Sequence, residues 1–146
     1  MNEVIVKTAD AAQSFFNTWT NNSVFKIYNI GGPNFYEYPL FICLNHLVYR
    51  IFLDENSLSL QNYPLTDFES TVKNGIFKPS ESNFDFYYIY HDCATIESKI
   101  SKISIKPIMI DGIKKIRQIK FTFENNRVLY VEYSDLVPGA MDSWLE

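Results

Sequence analysis

Apolar and polar residues alternate on both sides of Asn125-Asn126. Ile119, Phe121 and Phe123 precede it, and Leu129, Val131 and Tyr133 follow. A period of two on each side of a turn predicts a β-hairpin with one buried face. A two-residue Asn-Asn loop would set Ile119 opposite Glu132 and mix a charge into the apolar face. A three-residue loop, Asn125 to Arg127, keeps the faces consistent: it pairs Phe123 with Leu129, Phe121 with Val131 and Ile119 with Tyr133, and sets Lys120 opposite Glu132. Burying each large side chain contributes about 1.5–3 kcal/mol, whereas a cross-strand ion pair adds about 0.2–1 kcal/mol. Face consistency therefore outweighs the shorter turn, and Arg127 is expected near the left-handed region.

The pattern elsewhere predicts further elements. Ala12, Phe15, Phe16 and Trp19 recur at helical spacing, and Thr8 can cap the start, so an amphipathic helix is expected over about 9–20. Strands are expected at Val24 to Ile30, at Pro39 to Leu44 and Leu47 to Leu53 around an Asn45-His46 turn, and briefly at Leu58 to Leu60. Turns are expected at Gly31 to Asn34, Asp54 to Asn56 and Asp111-Gly112. Thr66 and Glu69 have capping-box spacing and Asn74-Gly75 can end a helix, giving a second short helix near residues 66–74. Phe77 to Asn83 reads as a loop and Phe84 to Asp92 as a strand. Residues 95–110 fit two patterns. Ile96, Ile100 and Ile103 have helical spacing, while Ile103, Ile105, Ile108 and Ile110 suit strands broken at Pro107; a strand from about Lys99 onward is favoured. The tail, Ser134 to Glu146, leaves room for little more than one helical turn.

These elements predict an α+β fold, mostly antiparallel sheet with an N-terminal amphipathic helix. The 146 residues suit a single domain spanning 1–146. A chain of this size buries a sufficient core without a metal or disulfide staple. Twelve Phe and ten Tyr exceed what that core requires, so some rings are expected at the surface, where Tyr favours protein contacts.

Charge is unevenly spread. The net charge is −4, but residues 99–123 carry seven basic groups against Asp111. Residues 80–98 carry only acids, and residues 124–146 carry five acids against Arg127. The overall sign disfavours nucleic acid and suits a basic protein partner. The start of the chain lacks the pattern of a signal peptide, and the apolar runs are too short to span a bilayer, so a cytoplasmic protein without membrane contact is expected.

Candidate chemistry is sparse. The cysteines and histidines fall in two clusters, Cys43 with His46 and His91 with Cys93, which together could hold zinc tetrahedrally. Buried thiols and strand-end histidines are the preferred reading, with no metal or other cofactor. His91-Asp92-Cys93 could also suggest a cysteine nucleophile with its base, but Asp92 cannot orient His91 within one strand, because adjacent side chains point to opposite faces, and a structural cysteine is preferred. No phosphate-binding loop is present, since Gly31-Gly32 runs into Pro33. No catalytic residue is assigned, and an enzyme is not expected. The lysine-rich segment 99–120 suggests RNA contact as an alternative, beside the simpler account of a solvated strand face. The acids and aromatics are more suggestive. Asp85, Tyr87, Asp92, Glu97, Asp135, Asp142, Trp144 and Glu146 are the candidate partner-binding residues, with aromatic anchors among steering acids; packing of Trp144 back onto the sheet is an equal expectation for that residue.

In this profile—small, acidic, aromatic-rich, α+β and without a catalytic motif—the chain resembles the immunity proteins of bacterial polymorphic toxins, of the contact-dependent inhibition type. The resemblance implies binding and neutralising a cognate toxin domain, often a basic nuclease. It transfers no individual residue. The alternative expectation is a small β-sheet domain that binds a ligand or RNA.

Overall fold

A computed structural model describes residues 3–29, 40–67, 92–136 and 141–146. Within them lie one complete helix and nine strands. These are β1 (Glu3–Val6), α1 (Ala9–Asn17), β2 (Ser23–Asn29), β3 (Leu40–Leu44), β4 (Leu47–Leu53) and β5 (Leu58–Pro64), followed by β6 (Asp92–Ile110), β7 (Ile113–Phe123), β8 (Val128–Tyr133) and β9 (Met141–Leu145). All neighbouring strands run antiparallel, in the order β1-β5-β4-β3-β2-β6-β7-β8-β9. The described residues are therefore mainly β, in the mostly antiparallel sheet with an N-terminal helix that was expected. The expected helix at 66–74 begins at residues 65–67, and its remainder lies outside the described residues. The expected turn at 31–34, loop at 77–83 and most of the strand at 84–92 also lie outside them.

Local chemistry explains most boundaries. The Thr8 hydroxyl accepts the Ala11 amide at 3.2 Å, satisfying one of the donors a helix start leaves open. Helix α1 ends before the expected residue 20. Thr18 turns its hydroxyl back to the Phe15 carbonyl at 2.7 Å, and Asn21 adopts φ 72°. Asn45 takes φ 56° in the tight β3–β4 turn. Asp111 and Gly112 both take positive φ, 51° and 77°, joining β6 to β7 as a two-residue hairpin requires. Asp54 closes the β4–β5 turn by accepting the amides of Asn56 and Ser57 at 2.8 and 2.9 Å.

Strand β6 is continuous over Asp92–Ile110, longer than expected and unbroken at Pro107. Its first half pairs with β2 and its second half with β7. Irregularities accommodate this change of partner. Glu97 adopts φ 48°, and an extra residue, Ser101, interrupts the register between Ile100 and Lys102. At Pro107 the extra residue is on the partner strand instead, at Arg117. Bulges of this kind bend a strand and increase its twist.

The sheet consequently folds back on itself. Strands β4 and β8, far apart in the order, touch, and the Leu53 amide donates to Met141 Sδ at 3.2 Å. Helix α1 fills the enclosed side. Phe16, fully buried, stands edge-on to Phe121 at 5.5 Å and to Trp19 at 4.9 Å, while Trp19 reaches Tyr49 at 4.7 Å. Gln13 caps the Ile103 carbonyl at 2.9 Å, tying the helix to β6. The buried face of β7 and β8 comprises Ile119, Phe121, Phe123, Leu129, Val131 and Tyr133, as the alternation predicts.

The register of this hairpin differs from the expectation. Phe121 pairs with Leu129 and Ile119 with Val131. Gln118, not Lys120, stands opposite Glu132. The loop does hold three residues, but it is Glu124 to Asn126, closed by the Phe123 amide on the Arg127 carbonyl at 3.0 Å. Asn126 takes the left-handed conformation, φ 69°, in place of Arg127. Asparagine tolerates that conformation better than arginine because its short polar side chain can bond locally. The shift moves pairing by two residues, so every side chain keeps its face. The tail also departs from expectation. No strand was expected there, and residues 141–145 extend the sheet as β9.

Candidate functional site

Alternation about the buried residues leaves an outer face on β6, β7, β8 and β9. Cross-strand register sorts its side chains into rows. Ser104, Lys120, Tyr130 and Trp144 form the central row. On one side of it run Lys102, Thr122, Val128 and Glu146, the last joined to Val128 by mutual backbone hydrogen bonds of 3.1 and 2.8 Å. On the other side run Lys106, Gln118, Glu132 and Asp142.

The centre of the face is aromatic. The Tyr130 and Trp144 rings stack at 5.0 Å with an interplanar angle of 15°. Lys120 Nζ lies 5.8 Å from the Tyr130 ring centroid, within cation–π range. Trp144 remains 37% exposed. Beside the stack, the Gln118 amide donates to Glu132 at 3.0 Å and fixes that carboxylate. The face carries both signs of charge. Lys102, Lys106 and Lys120 occupy its β6–β7 half, while Glu132, Asp142 and Glu146 occupy its β8–β9 half.

Three of the sequence candidates, Asp142, Trp144 and Glu146, meet on the outward side of β9. The others do not join them. Asp135 follows β8 and bonds the Arg117 guanidinium at 2.7 Å, remaining 69% exposed. Glu97 sits at the bend of β6, exposed. Asp92 begins β6 with its backbone opposite Asn29, but its side chain, like Asp85 and Tyr87, lies outside the described residues. Tyr130 and Glu132 were missed as candidates, whereas Lys120 belongs to the segment 99–120 of the RNA alternative. Their alternation with the core marks them as outward-facing, but nothing in the sequence places a ninth strand against them.

Of the possible zinc ligands, Cys43 is buried within β3, whereas His46 is exposed in the following turn. His91 and the Cys93 side chain lie outside the described residues. Among the described residues, no three His, Cys, Asp or Glu side chains gather as a metal site would require.

His46 also borders a cavity of about 370 Å³ at the C-terminal end of α1, lined by Thr18, Trp19, Asn22, Asn45 and Tyr49 among others. Its polar groups already serve the fold: the Asn45 amide donates to Asn22 at 3.1 Å, and the Asn22 amide to the Thr18 carbonyl at 3.0 Å. No helix among the described residues is long and apolar enough to cross a membrane. Compared with known proteins, the chain matches no family model, no curated protein and no solved structure.

Proposed function

We propose that this chain is a binding protein of the immunity type, which captures a cognate toxin domain and blocks it without making or breaking a covalent bond. The outer face of β7, β8 and β9 is the contact surface. The observation that carries this reading is the Tyr130–Trp144 stack with Glu132, Asp142 and Glu146 around it. Stacked rings on paired strands lose little conformational freedom on binding and present large apolar area, the usual properties of interface anchors. The surrounding carboxylates favour a basic partner surface, such as the phosphate-binding face of a nuclease, and accelerate encounter with it.

The test is affinity capture from the native cell, followed by purification of the captured protein and inhibition of its activity. A basic toxin domain bound stoichiometrically and silenced supports the reading. A captured protein that remains fully active refutes it.

The lysines support a second reading. Lys102, Lys106 and Lys120 share the face with the stacked rings, an arrangement that suits single-stranded RNA: cations along the backbone and rings beneath the bases. Such binding falls steeply with salt, so a titration with a labelled oligonucleotide at low and high salt separates the two. The net charge of −4 weighs against RNA.

A further inference from the structure

The outer face carries opposite charges on opposite sides of an aromatic centre. We infer that it pairs with itself: two copies of this chain associate face to face about a two-fold axis parallel to the strands. This inference goes beyond the partner reading and is tested without it; because both contacts use this face, a bound partner excludes the dimer.

The register dictates the axis. In a two-fold interface each contact occurs twice, residue i on j and j on i. An axis parallel to the strands, passing between β7 and β8, sets β6 of one copy over β9 of the other and keeps each row over itself. Lys102 then faces Glu146, and Lys106 faces Asp142. Within the central row Lys120 faces Tyr130, so each lysine gains a second ring, and the small Ser104 faces the bulky Trp144. Gln118 faces Glu132, and Thr122 faces Val128. No like charges meet. An axis across the strands would exchange the two outer rows, setting Lys102 over Lys106 and Asp142 over Glu146. Like charges directly opposed are destabilising, so that arrangement is disfavoured. The charge pattern thus selects one of the two perpendicular in-plane axes.

The area sets the strength. Four strands spaced about 4.8 Å apart, over the length of β9, cover roughly 300–400 Å² per copy. Stable complexes bury about 800 Å² per partner. Self-association through this face is therefore weak and depends on its charges, which salt screens.

Sedimentation of the pure protein over a concentration series, at low and high salt, reads it directly. The expected result is a reversible dimer at low salt whose affinity falls on the order of tenfold at high salt. The double variants Lys102→Glu with Lys106→Glu, and Asp142→Lys with Glu146→Lys, are each expected to be monomeric. Mixed together they form a heterodimer, and the variant combining all four changes regains the homodimer. These side chains are exposed or half-buried, and thermal melts verify that each variant folds. Should a reversal variant fail to fold, Lys102→Gln with Lys106→Gln replaces it, with the same weakening expected. A protein that stays monomeric at low salt, or a dimer that neither double reversal weakens, overturns the inference. The readout uses this chain alone, so it stands or falls separately from capture of a toxin.

Discussion

Trp144 on β9 lies flat against Tyr130 on β8, 5.0 Å away and only 15° from parallel. The contact joins the last strand to the sheet on its solvent side. Replacing Trp144 with Ala removes the stack but leaves the backbone pairing and the buried Met141 in place. A loss of about 0.5–1.5 kcal/mol is expected for the pair, read as a lower urea midpoint with an unchanged slope. A loss above about 3 kcal/mol would mean that Trp144 is chiefly a core residue.

Phe16 makes the opposite case. It is fully buried, and its ring meets Phe121 and Trp19 edge-on. Phe16→Ala is expected to cost about 3–5 kcal/mol, a large share of the stability of a domain this size. Urea denaturation checks it; a cost below about 1 kcal/mol would show that α1 is not docked through this ring.

At the β7–β8 turn, Asn126 holds φ 69°. A β-branched side chain is poorly tolerated there, so Asn126→Val is expected to lower stability by about 1–2 kcal/mol, while Asn126→Gly changes it by less than about 1 kcal/mol. The same pair of substitutions at Arg127 should not show this order. Thermal melts of the four variants distinguish the observed turn from the Asn125–Arg127 loop that the alternation alone predicts.

Arg117, the extra residue on β7, has three partners. It stacks over Tyr133 at 4.5 Å and donates to the Tyr133 carbonyl and to Asp135, both at 2.7 Å. Its side chain is 18% exposed, against 69% for Asp135. The exposed end of such a pair contributes little, about 0.2–1 kcal/mol. Asp135→Asn is therefore expected to be nearly neutral, and Arg117→Ala to cost about 1–3 kcal/mol through lost stacking and the unsatisfied carbonyl. Equal costs in urea melts would contradict this division.

Local chemistry was legible in the sequence where short-range forces decide. The Thr8 cap, the turns at Asn45, Asp54 and Asp111-Gly112, and the buried faces of β7 and β8 all follow from residue type and period. The mixed signal over 95–110 has a physical cause. The extra residue Ser101 sets the buried Ile100 and Ile103 three apart, which imitates a helical repeat inside a strand. The β7–β8 register was misplaced because two-residue slips preserve both faces, so burial cannot distinguish them. Strand β9 was hidden because its pairing with β8 depends on a partner supplied by the fold rather than by its own five residues. With β9 unseen, the candidate acids could not be placed beside Tyr130 and Glu132, and the lysines of β6 and β7 could not be seen to share their face.

The central claim is that the outer face of β7, β8 and β9 captures a protein partner. Its most direct test is titration of the purified captured partner against the native protein and against Trp144→Ala. A loss of at least about 2 kcal/mol in binding, roughly thirtyfold in Kd, is expected on removing the ring. A partner that binds the folded Trp144→Ala protein as tightly as the native one would contradict the claim.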